Sequence, residues 1–228
     1  MFYIVGTPIG NIEDLSLRQA KIIAGADILL TEDTRTTGML LIQIEKLFGI
    51  KKSETQQLIS YYKEREFEKL PYIFELIEQG KNIALISESG MPLVNDPGWL
   101  LVHELTLRNT PFTVIPGPTA AITGLVHSGF KMQRFVYFGF LSKKPSEVKK
   151  TFQKAQSVST LLDHAPCIFY ETSLRIQETL MYLNGLFPFS KVAVCREMTK
   201  KFEEITRGTP SELLSKTYRG EIVLIVSF

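Results

Sequence analysis

The sequence predicts an α/β protein of two domains, and three observations predict it. Short apolar runs alternate with longer amphipathic stretches along the whole chain, the pattern of strands and covering helices around mostly parallel sheets. The 228 residues allow one large domain or two of ordinary size. Pro116-Gly117-Pro118 interrupts the alternation midway, which places a boundary there, with domains at 1–116 and 117–228.

The elements follow in order. Phe2 to Gly6 reads as a strand. Asp14 or Ser16 caps a helix to about Ala24, with Leu17, Ala20 and Ile23 turned inward. Residues 28–31 form the next strand and 37–48 the next helix. A strand at 58–62 precedes a helix at 64–79, where Pro71 is a candidate break. Strand 82–87, helix 99–108 and strand 112–115 complete the first domain. In the second, helices are expected at 119–128, 146–162, 174–187 and 210–216. Strands are expected at 135–141, 167–171, 191–198, 203–207 and 221–228. The adjacent runs at 191–198 and 203–207 read as a hairpin, so the second sheet is expected to be mixed.

Composition removes several classes of function. Hydrophobic residues make up 44% and charged residues 22%, a balance that fills a core. The longest apolar runs, Ile28 to Leu30 and Ile222 to Val226, are too short to span a bilayer. Met1 leads straight into Phe2-Tyr3-Ile4-Val5 with no basic start and no small-residue cleavage site. A cytoplasmic protein without a membrane partner is expected. Cys167 and Cys195 sit in strand-like runs and are expected to be buried thiols. His103, His127 and His164 stand apart, with no C-x-x-C or H-E pairing, so no metal site is expected. Net charge is +2, but residues 1–114 carry 11 basic against 15 acidic side chains, and residues 115–228 carry 15 against 9. A positive second half can attract a polyanion.

Ligands of open α/β sheets bind at the carboxyl ends of the strands, and four loops there are distinctive. Thr7-Pro-Ile-Gly-Asn11 can expose main chain, with a tight structural turn as the plain alternative. Glu32-Asp-Thr-Arg-Thr-Thr37 gathers carboxylates, a guanidinium and hydroxyls that are costly to bury unpaired. It suits polar substrates and proton transfer; the alternative is a helix capped by Thr36 or Thr37 with a surface ion pair. Ser87 to Gly98 is a long loop in which Gly90 and Gly98 allow close approach and Asp96 and Pro97 suit a helix start. Pro116-Gly-Pro-Thr-Ala120 can offer the Thr119 hydroxyl and N–H to a bound group, or simply cap a helix. No G-x-G-x-x-G follows the first strand, and no P-loop or G-x-S-x-G elbow occurs.

Taken in this order, T-P-I-G-N (7–11), E-D-T-R (32–35), S-E-S-G-M-P-L-V-N-D-P-G (87–98) and P-G-P-T-A (116–120) resemble the tetrapyrrole methylase superfamily. More narrowly, they resemble its ribosomal RNA small-subunit methyltransferase I branch, the cytidine 2′-O-methyltransferases. F-V-Y-F-G-F-L (135–141), F-Y-E-T-S-L-R (169–175), R-E-M-T-K-K-F-E-E (196–204), R-G-T (207–209) and R-G-E (219–221) agree. The resemblance implies a class III methyltransferase fold, two α/β domains with S-adenosylmethionine in the cleft between them, and a homodimer. It implies that Pro8, Ile9, Gly10, Ser89, Gly90, Met91, Val94, Thr119 and Ala120 line the cofactor site, with Tyr170, Arg196 and Glu221 near it. Met91 and Asn95 depart from the usual S-D-A-G-T-P pattern and its serine.

The expected activity is S-adenosylmethionine-dependent 2′-O-methylation of a cytidine in small-subunit (16S) ribosomal RNA, on naked RNA or on the small ribosomal subunit. Asp33 is the first candidate for base or hydroxyl orienter, with Glu171 and Glu197 behind it. Arg35 is placed as a bidentate phosphate contact. Lys143, Lys144, Lys149, Lys150 and Lys154 form one basic group, which also reads as a solvated helix face. Arg196, Lys200, Lys201 and Arg207 form another, and Arg35, Lys200, Lys201 and Arg207 are taken as RNA-binding. Methylation of a tetrapyrrole or other small molecule is the nearest alternative. A degenerate fold that binds nucleotide or RNA without catalysis is the alternative of another class.

Overall fold

Strands β1 (Phe2–Val5), β2 (Ile28–Thr31), β3 (Gln57–Ser60), β4 (Ile83–Ile86) and β5 (Phe112–Ile115) form one sheet in the order β3-β2-β4-β1-β5. Every pairing in it is parallel. The computed structural model describes residues 1–228 and divides into two units, Met1–Thr119 and Ala120–Phe228.

Side-chain alternation decides how the first sheet is covered. Phe2, Ile4, Ile28, Leu30, Ile83 and Leu85 pack on one face against α3 (Glu66–Glu78) and α4 (Trp99–Leu107). Val5, Leu29, Ala84 and Ile86 pack on the other against α1 (Leu17–Gly25) and α2 (Thr34–Phe48). Both faces are apolar because both are buried, as parallel sheets require. Helix α1 starts in a capping box, with Ser16 accepting from the Gln19 amide and Gln19 returning the bond. Pro71 lies inside α3 and does not end it. Its missing N–H forfeits one bond, while Leu70, Ile73, Phe74 and Leu76 around it stay buried in the core. Short 3-10 turns at Ile12–Asp14 and Lys63–Arg65 were not anticipated.

The second unit holds β6 (Val136–Phe140), β7 (Cys167–Thr172), β8 (Lys191–Arg196), β9 (Glu204–Gly208) and β10 (Glu221–Ser227) in the order β6-β7-β10-β8-β9. β6 and β7 are parallel and the remaining pairs antiparallel, so the sheet is mixed and β8–β9 is the expected hairpin. Helices α6 (Pro145–Leu161), α7 (Ile176–Leu186) and α8 (Pro210–Leu213) cover the face bearing Cys167, Phe169, Val194 and Leu224. Helix α5 (Ala120–Ser128) covers the face bearing Ile168, Ala193, Cys195 and Val223. Gly124 lets α5 sit low on that face: a Cβ there would stand 3.0 Å from Val223 Cγ1. Cys167 and Cys195 are buried free thiols, each pushed up to about 12 chiefly by burial. No helix is long and apolar enough to cross a membrane.

Candidate active site

Because β4, β1 and β5 are parallel neighbours, the loops that leave them emerge side by side at one edge of the first sheet. Main chain meets main chain there. Thr7 and Gly90 form an antiparallel bridge, with Thr7 N–H donating to Gly90 O at 2.8 Å and Gly90 N–H to Thr7 O at 3.2 Å. The buried Thr7 hydroxyl donates to Ser87 O at 3.2 Å, and the Ser87 hydroxyl to Gly90 O at 3.0 Å. On the other side, Gly6 and Gly117 touch backbone to backbone: a Cβ on Gly117 would lie 2.9 Å from Gly6 Cα and 2.7 Å from Gln19 Nε2. Gln19 holds this crossing from α1 by donating to Gly6 O at 2.6 Å.

The loop at 87–98 carries backbone strain. Gly90 has φ +85°, Leu93 +71° and Asn95 +68°. Positive φ is unfavourable for a branched side chain such as leucine, and such residues gather where structure serves a ligand. The loop ends under control of a side chain from another element. Glu66, buried at the start of α3, accepts from Gly98 N–H at 2.5 Å and Leu100 N–H at 3.4 Å and so caps α4.

The expected cofactor residues of the first unit fall on these three loops. Pro8, Ile9 and Gly10 follow the bridge at Thr7, and Ile9 is buried beside Gly90, where a Cβ would meet its Cγ2 at 3.5 Å. Ser89, Gly90, Met91 and Val94 belong to the β4 loop. The Met91 sulfur lies where a Cβ on Gly6 would reach it at 2.7 Å, and Val94 is 40% exposed. Thr119 closes the first unit and Ala120 opens α5 of the second. In the second unit, Tyr170, Arg196 and Glu221 lie toward the same end of the sheet, at the close of β7 and β8 and the start of β10. Alternation turns Tyr170 to the α5 face, where its ring meets Tyr137 and Phe140 edge-on, while Arg196 follows Val194 on the opposite face. Arg196 pairs with Glu204 at 2.7 Å and donates to Arg219 O at 3.3 Å.

The carboxylates sort by what holds them. Asp33 is the N-cap of α2, one residue before the helix and earlier than the expected threonines. It accepts from Arg35 N–H at 2.7 Å and from the Arg35 guanidinium at 2.8 Å. Those hydrogen bonds hold its carboxyl down at about 2. Glu32 is different. Burial first, and then the negative charges of Asp96, Glu88 and Glu64, push it up to about 7. Asp96 is pushed up to about 6 by burial, against a hydrogen bond from Ser87. Glu171 is locked in the second unit: it pairs with Arg175 at 2.7 Å and accepts from the Thr179 hydroxyl at 2.7 Å. Glu197 lies below the ordinary range, mainly because Glu221 N–H donates to it.

The basic residues divide as well. Arg35 is 88% exposed in its side chain although paired to Asp33. Lys200 binds Glu221 at 2.7 Å and Glu197 at 3.3 Å. Arg207 donates to His127 O and Ser128 O at the end of α5. Lys201 is exposed, beside the Phe202 ring. Sequence reasoning took Glu32 only as part of the polar loop at 32–37, with no role of its own, and did not single out Gln19 or Glu66. Their roles come from contacts between distant segments, and only Gln19 carried a local signal, as the last residue of a capping box.

A family model described as tetrapyrrole (corrin/porphyrin) methylases matches residues 1–214. The chain is 36% identical over 226 residues to "Ribosomal RNA small subunit methyltransferase I" of Coprothermobacter proteolyticus, covering 99% of this chain and 97% of that one. It is 38% identical over 229 residues to the protein of the same name in Mycoplasmopsis pulmonis, covering 98% and 96%. It is 36% identical over 230 residues to that of Bacillus subtilis, covering 99% and 74%. Among solved structures, the methyltransferase CobJ matches with a TM-score of 0.69 at 16% identity, covering 99% of this chain and 93% of that one. Uroporphyrin-III-C-methyltransferase of Thermus thermophilus matches with a TM-score of 0.64 at 18% identity, with the same coverage. At such identities these two structures speak for the fold alone.

Proposed function

The chain belongs to the tetrapyrrole (corrin/porphyrin) methylase family, in its ribosomal RNA small subunit methyltransferase I branch, and from that premise we propose that it methylates small-subunit ribosomal RNA, at the 2′-hydroxyl of a cytidine, with S-adenosylmethionine as donor. One observation carries the reading: relatives of nearly the same length, similar from end to end, bear that name. The small-molecule methylases it also resembles in fold share far less of its sequence. The proposed working state is a cytoplasmic homodimer, since the small ribosomal subunit is a cytoplasmic substrate.

The residues present suit the donor. Pro8, Ile9, Met91 and Val94 offer apolar surface, and Gly10, Ser89, Gly90, Thr119 and Ala120 offer main chain. Asp96 with Glu88 beside it makes the edge acidic, which favours a sulfonium cation. Tyr170, Arg196 and Glu221 are the proposed contributors of the second unit. The bound donor supplies an already activated methyl group, so the protein's task is to bring a hydroxyl into line with it. Good orientation alone can contribute about 7–11 kcal/mol. Asp33 fits the role of fixed acceptor for the hydroxyl or for the guanidinium beside it, because a carboxyl held at about 2 has little affinity for a proton. Arg35 is proposed to meet the neighbouring phosphate, and Lys200, Lys201 and Arg207 to meet phosphates further along.

Transfer of labelled methyl groups to small subunits, to naked ribosomal RNA and to uroporphyrinogen tests the substrate. Labelling of the RNA or the subunit is expected; labelling of the tetrapyrrole alone would overturn the reading. Titration calorimetry with S-adenosylmethionine tests the cofactor, and an absence of binding would leave the non-catalytic alternative.

A further inference from the structure

One acidic side chain at the loop edge of the first sheet has no use in the reading above. Glu32 follows β2 directly, with β3 and β4 on either side in the sheet. Its backbone is fixed from three directions. The Ser60 hydroxyl donates to Glu32 O at 3.2 Å. Thr31 before it is buried, and its hydroxyl meets that of Thr37 at 2.6 Å. Asp33 after it is anchored as the cap of α2. Its carboxylate is in no ion pair, and the neighbouring charges that raise it, Asp96, Glu88 and Glu64, are negative.

The other carboxylates of this edge are placed differently. Asp33 is tied to Arg35, Glu66 holds the start of α4, Asp96 takes a hydrogen bond from Ser87, and Glu88 is exposed on its loop. We propose that Glu32 is the catalytic base that accepts the proton of the attacking ribose hydroxyl. This rests on the methyl-transfer reading of the same site. As the hydroxyl oxygen forms its bond to the methyl carbon, its proton passes to the Glu32 carboxylate. The carbon–sulfur bond breaks with its electron pair kept by sulfur, leaving a neutral thioether. The protonated Glu32 then returns its proton to water. A carboxyl lifted to about 7 by burial and by Asp96, Glu88 and Glu64 is half ionised at neutral pH and matched to that task.

The test uses the full chain. In the wild-type protein kcat/KM for subunit methylation should rise along an acid limb with an apparent pKa near 7. Asp96→Asn should move that limb to lower pH by removing a negative neighbour. Glu32→Gln should lower kcat at pH 8 by about 10²-fold or more, and Glu32→Asp should restore part of it, with S-adenosylmethionine affinity by calorimetry close to wild type in both. Independently of turnover, carbon-13 NMR of glutamate-labelled protein should show one side-chain carboxyl titrating near neutral pH, absent from Glu32→Gln. Wild-type kcat with an unchanged acid limb in Glu32→Gln, or no glutamate titrating near 7, would overturn the assignment. A wild-type protein that neither binds the donor nor labels RNA would remove the methyl-transfer reading beneath it, a failure distinct from the first.

Discussion

Glu32 and Asp33 are neighbours in sequence and opposites in chemistry. One is pushed up to about 7 by burial and like charge, the other held down at about 2 by Arg35. The E-D-T-R motif flags both carboxylates, and capping rules favour aspartate over glutamate at a helix start. What it cannot convey is burial, or the approach of Asp96 and Glu88 from the β4 loop, since these arise only when the sheet forms. Asp33→Asn keeps an acceptor for the cap but frees Arg35. It should bind S-adenosylmethionine as wild type does while turnover falls by about 10²-fold; unchanged turnover in a steady-state assay would reject a role for Asp33. Glu32 makes a second, thermodynamic prediction. Its carboxyl binds a proton more tightly folded than unfolded. The stabilisation that proton gives is fully present below pH 4.5 and is lost as pH rises through about 7. Glu32→Gln cannot ionise, so it should melt higher than wild type at pH 8 and alike at pH 4. After discounting for solvent screening the gain is about 1 kcal/mol, or roughly 2–4 °C. Equal melting temperatures at both pH values would show that Glu32 carries no electrostatic strain.

At the scale of elements, periodicity located the strands and helices because burial imposes it. Ile28 to Thr31 and Phe112 to Ile115 are strands with the expected limits, since both faces of that sheet are covered. Pro71 shows where local rules yield: packing of Leu70, Ile73 and Phe74 on the sheet outweighs one missing hydrogen bond. The glycine-rich loops were visible as loops, but not the way they lean on each other. T-P-I-G-N and P-G-P-T-A are far apart in sequence, and only the adjacency of β1 and β5 sets Gly6 against Gly117. This contact carries a prediction for the whole loop cluster. In Gly117→Ala the new methyl would stand 2.7 Å from Gln19 Nε2 and 2.9 Å from Gly6 Cα, and backbone has little room to yield. The variant should lose about 1–3 kcal/mol of stability, as overpacked sites do, and bind S-adenosylmethionine more weakly. A melting curve and a calorimetric titration read the two effects; neither changing would mean that the crossing is loose.

Over the whole molecule the two units differ in charge, 11 basic against 15 acidic residues up to residue 114 and 15 against 9 beyond it. The division fits the proposed tasks, an acidic edge for a cationic donor and a basic unit for a polyanion. The surplus is not all available to RNA, however. Lys200 is engaged by Glu197 and Glu221, and Arg207 closes the end of α5, whereas Lys201 stands in solvent. A phosphate contact displaces counterions from the nucleic acid, so each one steepens the fall of affinity with salt. Filter binding of small-subunit RNA across a salt series should therefore give a clearly negative slope of log affinity against log salt. Lys201→Ala should flatten it by about 0.7–0.9 while leaving the melting temperature unchanged. Lys200→Ala should flatten the slope less and also lower the melting temperature, because Lys200 is shared with Glu197 and Glu221, which lose their cation. If binding proved indifferent to salt, or if Lys201→Ala left the slope untouched, the basic unit would be an ordinary solvated surface, and recognition of the RNA would have to come from the polar loop at 32–37.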